Sequence, residues 1–340
     1  MKKIIGCEKM CTGITVKSKA GKCYWGRTQE FNLLLDYDGA IIPRNYMLSL
    51  SLENVQTRFA AMGVSIAEHP LLIDGINENG LMGGSFYFGN YNRYIEAEMI
   101  RSAGKIPLAG AEFVTYALTN YASVQEIKER ANQDTAIAIT DNMFCIPQHY
   151  VFQDDTGSVV VEPSVEGGYE IYDNPVGVFT NSPKFDWHLT NLQNYVGLSD
   201  QIAPDVQMEE LHVFSNGKGS GLRGIPGDFT PQSRFIRAAY LKHFSESIED
   251  DQAIDQLFHI LNSFDIPKGV VKVTNEKDVQ YTQYTSAYDN EEKKMYIHLY
   301  TNRMIQTLSL EQGMLDYSTP QFFKLNDQQH YHVMLQKSEE

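Results

Sequence analysis

Basic residues are scarce in this sequence: Lys and Arg number 28 against 43 Asp and Glu, a formal net charge of −15. Nucleic-acid binding needs a basic footprint, so this balance argues against it, although a local basic pocket for a small ligand can sit within an acidic field. Cysteine is scarce as well. Cys7, Cys11, Cys23 and Cys145 contain no CxxC pair and are too few for a disulfide framework in 340 residues. No apolar run approaches the roughly 18 residues of a spanning helix, and Ile4-Ile5-Gly6 behind Lys2 and Lys3 is too short for a signal-peptide core. A cytoplasmic protein without a membrane span is the expectation.

Several motifs are also missing. The nine histidines include no HExxH, and His149 and His332 are weak signals, so no metal site is expected. The glycines between 217 and 227 lack the Gly-Lys-Ser/Thr of a phosphate loop, and there is no GxSxG elbow and no GxGxxG after a strand.

What is present is an ordinary globular composition, 42% hydrophobic and 21% charged, in a chain long enough for a substantial core. Strand signals cover 12–16, 22–27, 39–42 and 59–64. Asn79-Gly80 marks a turn before Met82-Gly83-Gly84, where glycine permits close backbone approach. Helices are expected over 107–121, from Ser123 with Glu126 as a capping box, over 186–195, from Thr230-Pro231 to Phe244, and over 250–263. Between them lie strands at 149–152, 158–162, 169–172 and 176–180, a loop-rich stretch at 203–229, and a closing meander at 270–274, 281–286, 295–300 and 304–308. Strands and helices come in blocks without βα alternation, which fits two contacting sheets with helices on both outer faces, in one domain.

Cys11, directly after Met10, is the candidate nucleophile. If residue 11 became the N-terminus it would carry a thiol and an α-amine together. A buried strand thiol is the commoner role for such a residue. Cys145 with His149 is the other conceivable thiol–imidazole pair, supported by proximity alone.

Beyond Cys11, several phrases occur in a telling order: Met10-Cys11-Thr12, Gly26-Arg27-Thr28, 77–83 (NENGLMG), 174–183 (NPVGVFTNSP), 224–231 (GIPGDFTP) with Ser233-Arg234-Phe235, 258–261 (FHIL) and 266–271 (IPKGVV). Over residues 10 to 325 the chain resembles the choloylglycine hydrolase family, which holds bile salt hydrolases and penicillin V acylases. That resemblance implies an α+β fold, a four-layer αββα sandwich of two antiparallel sheets of the N-terminal nucleophile hydrolase type. It implies a homotetramer and no cofactor. It also implies a leader, residues 1–10, absent from the active enzyme, and a single domain over 11–340. Either Met10 is the true start and is trimmed, or the ten-residue leader is cleaved in a separate step, with Cys11 itself a candidate for that cleavage.

Carried over residue by residue, Cys11 is the nucleophile and Arg27 the arginine beside it. Asn181 supplies a side-chain oxyanion donor, and Arg234 is a second site arginine. Tyr87 stands where penicillin V acylases have tyrosine and bile salt hydrolases have asparagine; its N–H would be the other oxyanion donor. Glu30 replaces the family aspartate that orients the terminal amine, one methylene longer, which puts amine alignment and turnover in question.

The chemistry then follows. An α-amine near pKa 7.7–8 can take a proton from a thiol at about 8.5. The thiolate, favoured by Arg27, attacks the amide carbonyl, and a thioester forms that water hydrolyses. The small-molecule amide expected is the phenoxyacetyl amide of penicillin V, cleaved to 6-aminopenicillanic acid. A conjugated bile salt or another N-acyl amide is the alternative, and a non-catalytic ligand-binding homologue the remote one.

Overall fold

Thr12, Ile14, Thr15 and Val16, then Tyr24, Trp25, Thr28 and Phe31, then Tyr37, Ile41 and Ile42 are of the β-branched and aromatic types that favour strands. In the computed structural model, which describes residues 10–141, 146–164, 167–272 and 279–334, they form β1 (Met10–Lys17), β2 (Cys23–Phe31) and β3 (Tyr37–Ile42). β4 (Ala61–Ile66), β5 (Asp74–Asn77) and β6 (Met82–Tyr87) follow, then β7 (Gln148–Gln153), β8 (Ser158–Pro163), β9 (Tyr169–Asp173) and β10 (Val178–Phe179). The last group is β11 (Val271–Lys272), β12 (Val279–Asp289), β13 (Lys294–Leu299), β14 (Gln306–Ser309) and β15 (Gln321–Lys324).

Two antiparallel sheets result. The first runs β10-β1-β2-β12-β13-β14 with β11 on β12; the second runs β9-β8-β7-β6-β5-β4-β3-β15. The helices in chain order are α1 (Ala97–Ser102), α2 (Phe113–Asn120), α3 (Val124–Asp134), α4 (Phe185–Asn191), α5 (Pro231–Phe244) and α6 (Ala253–Asn262). α5 and α6 lie on the outer face of the first sheet, and α2 and α3 cover the second. One buried cluster fills the layer between the sheets and the layer under α5 and α6, and another lies beneath α2 and α3. This is the expected four-layer αββα sandwich.

Local chemistry explains most boundaries. Thr230 accepts the Ser233 N–H at 3.4 Å ahead of Pro231, so α5 starts where sequence places it. Ser123 accepts the Glu126 N–H at 3.2 Å, while the Glu126 carboxylate takes the Ala122 N–H at 2.7 Å, one residue before the expected box partner. Asn77 Oδ1 accepts the N–H groups of Asn79 and Leu81, each at 3.0 Å, which closes the turn at Gly80, where φ is +90°.

Other boundaries depart from expectation. The helix expected over 107–121 begins only at Phe113, because Ile106–Leu108 pairs in parallel with Thr135–Ile137 and cross-strand bonds replace helical ones. The helix expected over 186–195 is α4 followed by a 3₁₀ turn at Leu192–Tyr195. The loop-rich stretch contains a small hairpin, Val206–Met208 against Leu211–Val213. β15 was not anticipated; it borrows its register from the β3 edge. The strand expected over 270–274 is seen at Val271–Lys272, and its continuation lies outside the described residues, as do Cys7 and Cys145.

Gly84 matters for the site. A Cβ there would stand 2.9 Å from both Asp74 Cβ and Trp25, and 3.3 Å from Arg27 Nη1. The close approach flagged in the sequence therefore serves packing between the two sheets. Gly84→Ala is expected to cost about 1–3 kcal/mol by overpacking, read as a lower urea midpoint at unchanged m-value.

Candidate active site

The β1–β2 ladder sets the first contacts. Its register places Cys11 opposite Gln29 and Gly13 opposite Arg27, so side chains alternate between faces. Cys11, Arg27 and Gln29 face the second sheet. Thr12, Thr28 and Glu30 face α5 and α6, as does Gly26 against Leu257 and Leu261. Cys11 is 1% exposed. Its Sγ donates to Gln29 Oε1 at 3.4 Å.

β10 pairs with β1 through Gly13 opposite Phe179, which carries Asn181 alongside Cys11. Asn181 Oδ1 accepts the Cys11 N–H at 2.8 Å and Arg234 Nη2 at 2.8 Å. With its oxygen so committed, its Nδ2 points the other way and donates to Tyr87 O at 3.1 Å. Arg234, in the first turn of α5, also donates to Cys11 O and to Thr12 Oγ1, and its Nε reaches Phe229 O at 2.9 Å. Tyr87 ends β6; its N–H lies on the same strand edge as that of Ser85, which bonds Ile73 O, whereas Phe88 N–H takes Pro147 O on the other edge.

Arg27 is fully buried. It donates to Ser85 O at 2.6 Å and to Gln29 Oε1, its Nε lies 3.8 Å from Asp74 Oδ2, and it stacks over Phe86 at 4.4 Å. Burial alone would depress its pKa, but the acidic side chains around it, Cys11, Tyr284, Asp74 and Glu30, outweigh that and raise it. Asp74 in turn accepts hydroxyls from Tyr284, Ser286 and Tyr288.

Glu30 occupies the opposite face. Its carboxylate accepts the Thr282 hydroxyl at 2.9 Å, and its other oxygen has no protein partner among the described residues. Burial raises its pKa from 4.5 to about 7, against the opposing pull of Arg234. Burial likewise brings Arg234 down to about 10, with Glu30 and Cys11 opposing, so the guanidinium stays charged at neutral pH. The partner shown for the Cys11 N–H is thus Asn181, while Glu30 sits opposite Met10 in the ladder.

Sequence reasoning passed over a supporting shell. His149 Nε2 donates to Thr180 O at 3.1 Å, and His188 Nε2 donates to Asn181 O at 2.9 Å. The two imidazoles therefore hold consecutive carbonyls of the segment carrying Asn181. His149 Nδ1 lies 3.2 Å from Glu162 Oε1. Burial pushes Glu162 up to about 8 and His149 down to about 3, so we read this contact as a neutral carboxyl donating to a neutral ring, not as an ion pair. This arrangement gives His149 a structural partner in Glu162. Gln29, Asp74, His188 and Thr282 carried only the faint signal of polar residues set in apolar strands or a helix. No group of three His, Cys, Asp or Glu side chains that could hold a metal occurs among the described residues.

A buried thiol whose backbone nitrogen is held by an asparagine, between two arginines, on a four-layer sandwich, matches one family. The description "Linear amide C-N hydrolases, choloylglycine hydrolase family" fits residues 11–323. This chain belongs to that family. It is 32% identical over 324 residues to a bile salt hydrolase/transferase of Clostridium perfringens, covering 93% of this chain and 97% of the relative. The crystal structure of a conjugated bile acid hydrolase mutant from the same species superposes with a TM-score of 0.86 at 31% identity, covering 96% of this chain and 100% of that one. A penicillin V acylase from Agrobacterium tumefaciens shares the fold, with a TM-score of 0.72 at 18% identity over 93% and 92% of the two chains. As a member of the choloylglycine hydrolase family, the protein is a hydrolase of linear amide C–N bonds.

Glu30 gives a pH signature. Its folded pKa lies above 4.5, so the folded state holds this proton more tightly and its contribution is complete below that value. The contribution is lost as pH rises through about 7, a difference on the order of 3 kcal/mol. Wild type should therefore lose more unfolding free energy than Glu30→Gln between about pH 5 and about pH 9. Parallel urea-unfolding curves for the two proteins would contradict the assignment.

Proposed function

We propose that the chain acts as a cysteine N-terminal nucleophile amidohydrolase, with Cys11 as residue one of the mature protein. The observation that carries this reading is the Cys11 nitrogen held 2.8 Å from Asn181 Oδ1, with that oxygen also bound to Arg234. A free α-amine at this position would inherit the same partner, with Glu30 as the nearby carboxyl for its second proton. The amine takes the thiol proton, and the sulfur attacks the carbonyl carbon. The second Nδ2 hydrogen of Asn181 and the Tyr87 N–H meet the developing oxyanion. The ammonium then protonates the leaving nitrogen, and water activated by the same amine hydrolyses the thioester.

For this reading Met1 to Met10 are absent from the active enzyme, and intact-protein mass spectrometry should find Cys11 at the N-terminus. A fully active chain retaining Met10 would overturn it, as would full amide hydrolysis by Cys11→Ser. Asn181→Ala should lower kcat by about 10²–10³-fold.

We read the acyl group as phenoxyacetyl, as in penicillin V. Support comes from Tyr87, whose ring packs over Gly89, where a Cβ would stand 2.6 Å away, leaving a fixed aromatic surface beside the oxyanion donors. The second reading, a conjugated bile salt, is favoured by the near full-length likeness to a protein named bile salt hydrolase/transferase. The expected order is a higher kcat/KM for penicillin V than for glycine- or taurine-conjugated bile salts; the reverse order selects the second reading. Cysteine usage supports a reducing, cytoplasmic setting.

We also read the assembly as a homotetramer, supported by the exposed apolar side chains of Met208, Leu211 and Phe214 on and beside the protruding hairpin. Light scattering should return four times the chain mass, and a monomer would refute it.

A further inference from the structure

The Gln29 side chain bridges the sulfur of Cys11 and the guanidinium of Arg27. It is 2% exposed, and a single atom, Oε1, takes both the Cys11 Sγ contact at 3.4 Å and the bond from Arg27 Nη2. The orientation of its amide is not arbitrary. A guanidinium has only donors, so the group facing Arg27 must be the amide oxygen. The same oxygen then faces the sulfur, which can meet it favourably only by donating its S–H. A thiolate there would confront a carbonyl dipole of the wrong sign.

The other two Arg27 nitrogens each have a partner. Nη1 donates to Ser85 O and Nε to Thr28 O at 3.3 Å, with the Asp74 carboxylate, held by three hydroxyls, 3.8 Å from Nε. An arginine beside a cysteine ordinarily favours the thiolate. Here Nη2 of the guanidinium and the sulfur share one acceptor, the Gln29 oxygen.

We propose that Gln29 is a catalytic-site gate on the charge of the nucleophile: by accepting from both Arg27 and Cys11, it keeps the resting sulfur as a thiol. The proton leaves only toward the α-amine, during attack on a carbonyl carbon. The consequence extends beyond hydrolysis, because thiolate is the form that oxidants and alkylating agents consume. A nucleophile held as thiol is protected between turnovers. This inference rests on Cys11 being the nucleophile, but its test reads the sulfur directly.

The experiment is a titration of the ultraviolet thiolate absorbance of the mature protein, with the same titration of Cys11→Ser subtracted to remove the other cysteines. Gln29→Leu removes the acceptor and frees Arg27 Nη2 toward the sulfur, so thiolate formation should move down by about one pH unit. Alkylation by iodoacetamide below that midpoint should be about tenfold faster. Gln29→Glu places a full negative charge at the same point and should move thiolate formation up, so it tests the sign even where the leucine variant is poorly folded. Midpoints unchanged in both variants, or displaced the opposite way, overturn the proposal. A shift as expected in a protein without amidase activity leaves the role of Gln29 standing and removes the function proposed above. Amide hydrolysis with no shift does the reverse.

Discussion

One atom, Asn181 Oδ1, is the point on which the site depends. It joins three segments that are distant in sequence: Cys11 at the start of the first sheet, Asn181 two residues past the end of β10, and Arg234 in the first turn of α5. Each arrives by a different local device. β1 is held by its ladder to β2, β10 by its short pairing to β1, and α5 by Thr230 and Pro231 at its N-terminus. The amide oxygen accepts twice, and that double acceptance orients the Nδ2 group toward Tyr87 at the end of β6. A single side-chain amide therefore links the two sheets and a covering helix.

Such a hub needs support that the reacting atoms do not provide. The carbonyls of Thr180 and Asn181 are each taken by a buried imidazole, and one of these leans on the Glu162 carboxyl, which also accepts the Phe185 N–H at 3.0 Å. Buried ionised pairs are costly to desolvate, whereas a neutral carboxyl–imidazole bond avoids that cost. Beneath Arg27, Asp74 and its three hydroxyl donors form the matching support from the second sheet and β12. Arg27 is thus held by a carbonyl and a carboxylate of the second sheet, whereas Arg234 is held by Asn181 and Cys11 themselves.

The sequence made this legible in part. Strand and helix positions followed from alternation and caps wherever the deciding residues are local, as at Thr230-Pro231, Ser123 and Asn79-Gly80. They failed where pairing with a distant strand decided the matter. Ile106–Leu108 has a helical pattern behind it, yet its bonds go to Thr135–Ile137, and β15 forms only because the β3 edge is there to receive it. Cys11, Arg27, Asn181 and Arg234 were found through phrases shared with a family and do converge. Gln29, Asp74 and His188 were not, because a polar residue in an apolar stretch does not declare its partner.

The position of Glu30 shows why convergence of residues is not the same as a working geometry. Its carboxyl lies on the α5–α6 side of the sheet, tied to Thr282, with a pKa near 7 imposed by burial. Near neutral pH it is divided between charged and neutral forms. A half-protonated carboxyl aligns an ammonium less firmly than an ionised one, since only the anion gains the full charge-assisted bond. Were Cys11 the terminal residue, as proposed, its positive charge would stand on the strand paired with Glu30 and favour ionisation. On that proposal the extra methylene of glutamate would serve as reach, because the carboxylate can stay on Thr282 through one oxygen and turn the other, which has no protein partner among the described residues, toward the amine. On the proposed mechanism, removing residues 1 to 10 would therefore both create the base and favour the ionised form of Glu30.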